Sequence, residues 1–209
     1  MDHRENIFSA YNIISKLSND IIVKNFIIGT KILTRFFLND NEIFNLNNKN
    51  EKANVAVNIY NSYDGTTPFG IDFSIWRKIC SNGMFGWSRE SRVKHLHTQS
   101  IDPEKMVKEI GEAIVIAKDK YQVLYNQLFS LPIIAGEEFE KEGFTDKLIK
   151  KARELYPVER NLSGGVNNAW VQLQAFTRAI THNEKMNEFG KIDTTTQIVK
   201  FFQAQLVKA

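Results

Sequence analysis

The stretch VAVNIYNSYDGTTPFGIDFSIWRKI, residues 55–79, decides the fold class. Apolar side chains alternate with other residues on both sides of the pair Asp64 and Gly65, and a period of two is typical of half-buried strands. Asp-Gly is a strong signal for a tight hairpin turn, so the stretch predicts two antiparallel strands. The alternating apolar residues are Val55, Val57 and Ile59 before the turn and Phe69, Ile71, Phe73, Ile75 and Ile79 after it.

The same pattern extends to both sides of this hairpin. Residues 21–33 contain short β-branched runs interrupted by Gly29, and residues 93–98 resemble a further strand. Residues 39–50 are rich in Asn, Asp and Lys, which favour a loop. We therefore predict an antiparallel β-meander over residues 20–100, preceded by a helix within residues 1–19.

Helical signals begin after Ser100. Asp102 is a good helix cap and Pro103 a good first residue, and a long apolar stripe of helical spacing follows. Three more helices are predicted at residues 145–154 (ending before Pro157), 168–181 and 194–207. The predicted class is α+β, an antiparallel β-meander in the first half packed against helices of the second half. We expect a single domain over residues 1–209, with residues 101–209 as its helical part.

Composition excludes several classes of protein. The chain has 209 residues, of which 43% are hydrophobic, so it can bury a core. The single Cys80 excludes a disulfide framework. No stretch approaches the roughly 20 apolar residues that cross a bilayer, and the first residues lack a secretory pattern. The net charge of +3 does not by itself indicate a nucleic-acid partner.

A cluster of cations and aromatic rings occupies residues 76–94. Basic side chains neutralise phosphates and aromatic faces stack on unpaired bases, so the cluster predicts polynucleotide binding. The alternative is a solvated sheet face with its tryptophans in the core. Arg77 could equally pair with a carboxylate such as Asp64 or meet a phosphate. The candidate nucleic-acid-binding residues are Arg77, Lys78, Phe85, Trp87, Arg89, Arg92 and Lys94.

A metal site is the alternative interpretation of the same region. His95 and His97 are two residues apart on a predicted strand and could chelate one ion, with Asp64 as a further ligand. Lone histidine pairs are more often structural, and we expect no cofactor. The chain has no phosphate-binding glycine loop and no Gly-x-Ser-x-Gly or His-Glu-x-x-His motif. An enzyme is therefore the less favoured interpretation.

Several of these segments together resemble a domain family of phages and plasmids whose function is unknown, often labelled phage/plasmid-like protein. The resemblance lies in Asn61-Ser62-Tyr63-Asp64-Gly65, in Arg77 to Asn82 with Cys80, in His97-Thr98, and in Asn168-Ala169-Trp170 followed by Thr181-His182. Two positions depart from the family pattern: Tyr63 stands where it has His, and Gln174 where it has Asn. The resemblance implies a role on mobile elements, in replication, recombination or counter-defence.

The resemblance and the basic cluster together predict a phage or plasmid protein that binds single-stranded DNA and promotes strand annealing in recombination, in the cytoplasm of a bacterial host. A sheet followed by a long helix is also similar to the Rad- and Red-type annealing proteins, although this is analogy of fold only. We expect a homo-oligomer, with Phe201 and Phe202 as candidate subunit contacts. The alternatives are a metal-dependent enzyme acting on nucleic acid or nucleotides, and a protein-binding inhibitor of a host defence system.

Overall fold

The structure is a computed structural model. It describes residues 11–16, 18–42, 53–67, 69–77, 82–85, 93–95 and 103–208. Within this part of the chain there are six strands and five helices, besides a short helical turn at residues 11–14. In chain order they are β1 (Ile21–Ile28), β2 (Lys31–Glu42), β3 (Ala53–Ser62), β4 (Phe69–Arg77), β5 (Asn82–Phe85), β6 (Val93–His95), α1 (Pro103–Ser130), α2 (Gly136–Lys141), α3 (Asp146–Leu162), α4 (Ala169–Thr181) and α5 (Glu188–Lys208).

The predicted α+β class is confirmed, because an antiparallel sheet occupies the first half of the chain and helices follow it. The strand order is β1-β2-β3-β4-β5, and β6 pairs with β4. β1 and β2 are antiparallel, with Ile21 opposite Leu38 and Ile28 opposite Lys31. The turn between them contains Gly29 at φ 59°, a left-handed conformation that glycine adopts without a steric penalty.

The chain divides into two compact units. The sheet unit consists of the described residues within Met1–Ile43, Asn54–Ile75 and Gly86–Asp119. The helical unit consists of those within Phe44–Ala53, Trp76–Phe85 and Lys120–Ala209, and so includes β5 and the last two residues of β4. That the whole chain is one domain stays a prediction.

The strand predicted at residues 55–60 to be half-buried is buried on both faces, and the predicted apolar rows belong to the core of the sheet unit. Strands β3 and β4 lie in the middle of the sheet, and every described side chain of β3 is buried. Apolar residues from β2, β3 and β4 are accompanied by Ile110 and Ala117 of α1, all of them buried. The buried apolar residues of the strands include Ile32, Phe36, Val55, Val57, Ile59, Ile71, Phe73 and Ile75.

Aromatic rings form the core of the helical unit. The fully buried Trp170 of α4 meets the rings of Tyr121 and Tyr125 edge-on, with centroids 5.5 and 4.9 Å away. A second cluster joins α2, α4 and α5. Its rings are Phe139, Phe144, Phe176, Phe201 and Phe202.

The expectation that Phe201 and Phe202 form subunit contacts is wrong. Phe201 is 3% exposed and Phe202 is fully buried, and both rings lie within 6 Å of Phe139. Apolar rings at adjacent helical positions are not necessarily on the surface, since a helix covered on two sides buries both. Here the rings stabilise the fold of the chain itself.

Helix α2 was not predicted, and α5 begins at Glu188 rather than at the predicted residue 194. Two further boundaries also differ from the sequence prediction. Strand β2 continues to Glu42, through the start of the predicted loop at residues 39–50, whose remainder lies outside the described residues. Helix α3 continues to Leu162 with Pro157 inside it. Pro157 is exposed, so the carbonyl left without a helical donor faces water, and the buried face at Ile149, Ala152 and Glu159 carries the helix past it.

None of the described helices is long and apolar enough to cross a membrane.

Asn168 ties the start of α4 to the end of α1. Its Oδ1 accepts a hydrogen bond from the backbone N–H of Val171 at 3.1 Å, and its Nδ2 donates to the carbonyl of Phe129 at 2.9 Å. One buried side chain thus caps a helix and connects two segments that are 39 residues apart in the chain.

We expect Asn168→Ala to lower the free energy of unfolding by about 2 kcal/mol. About half of this comes from loss of the helix cap and half from loss of the hydrogen bond to the Phe129 carbonyl. Urea denaturation followed by circular dichroism measures this. Asn161→Ala removes an exposed Asn from α3 and is the matched control, with an expected change within about 0.5 kcal/mol. Equal effects of the two substitutions would contradict the proposed role.

Candidate nucleic-acid interface

The residues that the sequence predicts to bind nucleic acid fall mostly where the structure gives no side chains. Lys78, Trp87, Arg89, Arg92 and, from the metal alternative, His97 lie outside the described residues. For Arg77, Phe85, Lys94 and His95 only the strand backbone is described. In the pairing of β4 with β6, Lys94 lies opposite Gly70 and His95 opposite Phe69. That these residues together bind nucleic acid stays a prediction.

Asp64 is the one predicted site residue whose surroundings are fully described. Its Oδ2 accepts a hydrogen bond from the Thr30 hydroxyl at 2.7 Å. Its Oδ1 accepts from the Thr66 backbone N–H at 3.0 Å and from the Thr66 hydroxyl at 2.7 Å. The Thr30 hydroxyl, followed by the Thr66 groups, holds the pKa of Asp64 well below its usual range. The carboxylate therefore fastens the β3–β4 turn to the β1–β2 turn.

The rest of that turn has the same structural character. The Ser62 hydroxyl accepts a hydrogen bond from the Thr67 N–H at 2.8 Å, and Gly65 has φ 72°, a conformation that side-chain-bearing residues rarely adopt. Among the described residues no three His, Cys, Asp or Glu side chains are grouped as metal ligands would be. In this arrangement both Asp64 oxygens serve the turn, and the metal site stays a prediction.

A buried row of polar side chains crosses β2, β3 and β4. The Arg35 Nε donates to Asn58 Oδ1 at 2.7 Å, and Asn58 Nδ2 lies 3.0 Å from both Asp72 Oδ1 and Ser74 Oγ. The Tyr60 hydroxyl donates to Asp72 Oδ2 at 2.6 Å. All five side chains are buried, and Arg35 is 1% and Asp72 2% exposed.

The sequence prediction missed this row, although the pattern contains a signal for it. Arg35 and Asp72 stand inside short apolar runs, and a charge in such a run needs a partner because burying it alone is costly. Arg35 also lies over the rings of Phe26 and Phe37, at 5.4 and 6.0 Å from their centroids. Since the row is enclosed and hydrogen-bonded within the sheet, its arrangement suits stabilisation of strand register.

An open groove in the helical unit brings together cations and apolar side chains. It has a volume of about 830 Å³ and runs between α3, the segment at residues 143–145, the end of α4 and residues 182–186. Lys147, Lys150 and Lys151 of α3 and Lys185 are exposed and line it, as does His182. Its apolar lining includes Phe144, Leu148, Leu155, Ile180 and Met186. Two exposed carboxylates, Glu154 and Glu184, also line it, so the groove combines an excess of positive charge with an apolar surface.

A buried carboxylate holds one further cation of the groove, Arg178. Arg178 Nη1 donates to Glu159 Oε1 at 2.9 Å, and Glu159 is fully buried whereas the Arg178 side chain is 27% exposed. A charge-assisted bond to a buried carboxylate holds the guanidinium in place. Arg178 therefore contributes to the groove from a set position, unlike the flexible lysines.

The lysines of α3 repel one another. Lys147 and Lys151 are four residues apart on one helix face, with Lys150 beside them, and like charges at this spacing destabilise a helix by a few tenths of a kcal/mol. Only Lys151 has a carboxylate partner in the described ion pairs, Glu154 at 3.2 Å. Asp146 and Glu154, each four residues from Lys150, offset part of this repulsion.

The groove is not predictable from the sequence, for two reasons. The mixed charges of α3 are equally typical of a solvated helix with internal ion pairs. The other side of the groove comes from residues about 30 positions further on, which no local pattern connects to α3. His182, which belongs to the late part of the family resemblance, is the only link that the sequence offers.

We expect Asn58→Ala to lower the free energy of unfolding by about 3 kcal/mol, because it removes hydrogen bonds to Arg35, Asp72 and Ser74 inside the sheet. Tyr60→Phe removes one hydrogen bond to Asp72 and should cost only about 1 kcal/mol. Chemical denaturation of the two variants compares them directly. If Tyr60→Phe were the more damaging, Asn58 would not be the centre of the row.

We expect Asp64→Asn to destabilise the protein at neutral pH and to match the native protein in strong acid. Because the pKa of Asp64 is lower in the folded chain, its contribution is fully present above the unfolded value, about 3.9, and is lost as the pH falls toward the folded one. Melting temperatures measured from pH 7 down to about pH 1 test this. Asp193→Asn, at an exposed helical position, controls for the charge, and its difference from native should stay small throughout.

Comparison with known proteins identifies the family but not an activity. No curated protein and no solved structure matches the chain significantly. A family model described as "Domain of unknown function (DUF932)" matches residues 32–200, which include β2 to β6, α1 to α4 and most of α5. The groove and the buried polar row both lie within this range. The chain therefore belongs to the DUF932 family of domains of unknown function.

Proposed function

We propose that this protein binds single-stranded DNA through the basic groove of its helical unit. The observation that carries the proposal is the combination of exposed lysines with an apolar surface in one open groove. Lysines attract phosphates without regard to sequence. The apolar surface between them can accept the faces of bases.

The apolar lining favours a single strand over a duplex. In a duplex the base faces are stacked on one another, so a duplex can offer the groove only its phosphates and base edges. An unpaired strand can place bases against Phe144, Leu148 and Met186 while its phosphates meet Lys147 and Lys150. Both interactions are then satisfied at once, with Phe144 as the ring on which a base can stack.

The sequence supports the same ligand independently. Residues 76–94 also combine cations with aromatic rings, so two separate regions of the chain have the chemistry of a single-strand binder. Promotion of annealing and a place in phage or plasmid recombination follow from the family resemblance alone and are part of this proposal. An acidic peptide with apolar side chains is the other ligand that the groove could hold, and competition separates the two.

We expect a dye-labelled oligodeoxythymidine to bind the full chain at low salt and to weaken steeply as salt rises, measured by fluorescence anisotropy. Lys147→Gln with Lys150→Gln should reduce the slope of log K against log salt by about 0.7 for each phosphate that the variant no longer neutralises. Lys200→Gln with Lys208→Gln removes the same charge from exposed positions of α5 outside the groove and is the matched control. The control pair should bind nearly as the native protein does.

Four results would contradict the proposal. Absence of binding at low salt would remove it altogether. If the groove pair and the control pair lost equal affinity for the oligonucleotide, DNA would be attracted only by the net charge of the protein. If the double variant Arg92→Gln with Lys94→Gln bound the oligonucleotide more weakly and the groove pair did not, the binding site would be the cluster at residues 76–94. Binding of duplex as tightly as single strand would refute the role of the apolar lining.

A further inference from the structure

A second cavity lies in the helical unit, apart from the residues of the basic groove. It has a volume of about 500 Å³ and is lined by residues 133–136, by α2, and by α3 and α4. Its surface is mostly apolar, formed by Ile133, Ile134, Phe139, Ile149 and Phe176 among others. Protein interiors leave few voids larger than a water molecule, whereas pockets for small molecules span about 300 to 1,000 Å³.

The cavity exists because small residues line it and because a hydrogen-bonded backbone segment forms one of its walls. Ala152 and Ala175 line the cavity and are 2% and 1% exposed, so larger side chains there would fill it. The wall at Ile134 is held by Gln172, whose Oε1 accepts from the Ile134 N–H and whose Nε2 donates to the Ile134 carbonyl, both at 2.9 Å. The cavity is therefore formed before any ligand arrives.

A cation stands at the rim of this cavity. The guanidinium of Arg153 lies against Gly136, where a Cβ atom would collide with Nη2. The Arg153 side chain is 64% exposed, and its contact with Glu140, at 4.0 Å, is at the limit for an ion pair. The other polar groups of the lining are engaged within the protein, since the Tyr156 hydroxyl donates to Asn167 Oδ1 at 2.6 Å and the Gln172 amide bonds Ile134.

The geometry points to a binding site for a small amphipathic acid, with its hydrocarbon tail in the cavity and its carboxylate at Arg153. The tail gains free energy by leaving water, and the guanidinium provides two donors in the plane that a carboxylate needs. Gly136 leaves room for this guanidinium because it has no side chain. The site shares no residue with the basic groove, so it does not depend on single-strand binding.

The test titrates the full chain with hexanoate, octanoate and decanoate, below their micelle concentrations, by isothermal titration calorimetry. Each added CH2 group should tighten binding by about fourfold until the cavity is full. Octanol, which has the tail without the charge, should bind about five times more weakly than octanoate. Arg153→Gln should remove the preference for octanoate and leave the affinity for octanol unchanged.

Two more variants locate the ligand within the cavity. Gly136→Ala should weaken octanoate binding less than Arg153→Gln does, because the exposed Arg153 side chain can move aside and keep its charge at the rim. Ala152→Leu should abolish binding of both octanoate and octanol by filling the cavity. Lys200→Gln, outside the lining, removes a positive charge from an exposed position and should bind both probes as the native chain does.

Several results would overturn the inference. One is the absence of saturable binding by any of the three acids. Others are an affinity that does not change with tail length, and an equal weakening of octanoate binding in Arg153→Gln and Lys200→Gln. If Ala152→Leu fails to fold, Arg153→Gln and Gly136→Ala decide the question, because both substitutions are at the rim rather than in the core.

Discussion

The hydrogen bonds of Asn58 are the interaction on which the sheet unit depends. This one amide accepts from Arg35 on one neighbouring strand and lies within hydrogen-bond distance of Asp72 and Ser74 on the other. Apolar contacts alone specify the register of β2 and β4 against β3 only weakly, because both faces of β3 are buried and hydrophobic contact has no direction. A buried amide between polar partners has only one satisfactory register, and a slip of one residue would turn it to the opposite face.

The elements that the sequence predicted well are those decided within a few residues. The turn at Asp64 and Gly65 needs a side-chain acceptor and a left-handed residue, and both stand next to each other in the chain. The start of α4 after Asn168 is decided by the same kind of local chemistry, and α1 begins at Pro103 as the sequence predicts. Such signals need no knowledge of what packs against the segment.

The wrong predictions concern elements whose structure depends on contacts with residues far away in the sequence. Pro157 interrupts a helix locally, yet α3 continues because its buried face packs on α4. The sequence pattern of Phe201 and Phe202 is the same for a surface contact and for a core position. Only their contacts with the rings of α2 and α4 show that they are core residues. The candidate site follows the same rule. Its lysines are visible in the sequence, but the groove exists only because residues 182–186 return to α3.

Helix α3 explains why both proposed sites lie in the helical unit. Its buried stripe is narrow and holds Ile149, the small Ala152 and the charged Glu159, which Arg178 must neutralise. A stripe this slight cannot fill the space on either side of the helix. On one flank it leaves the cavity beneath Arg153, and on the other it leaves the groove beside Lys147. Larger residues in the stripe would pack more tightly and fill both the cavity and the groove. The small residues therefore lower stability and leave both spaces open, a trade that is common at functional sites.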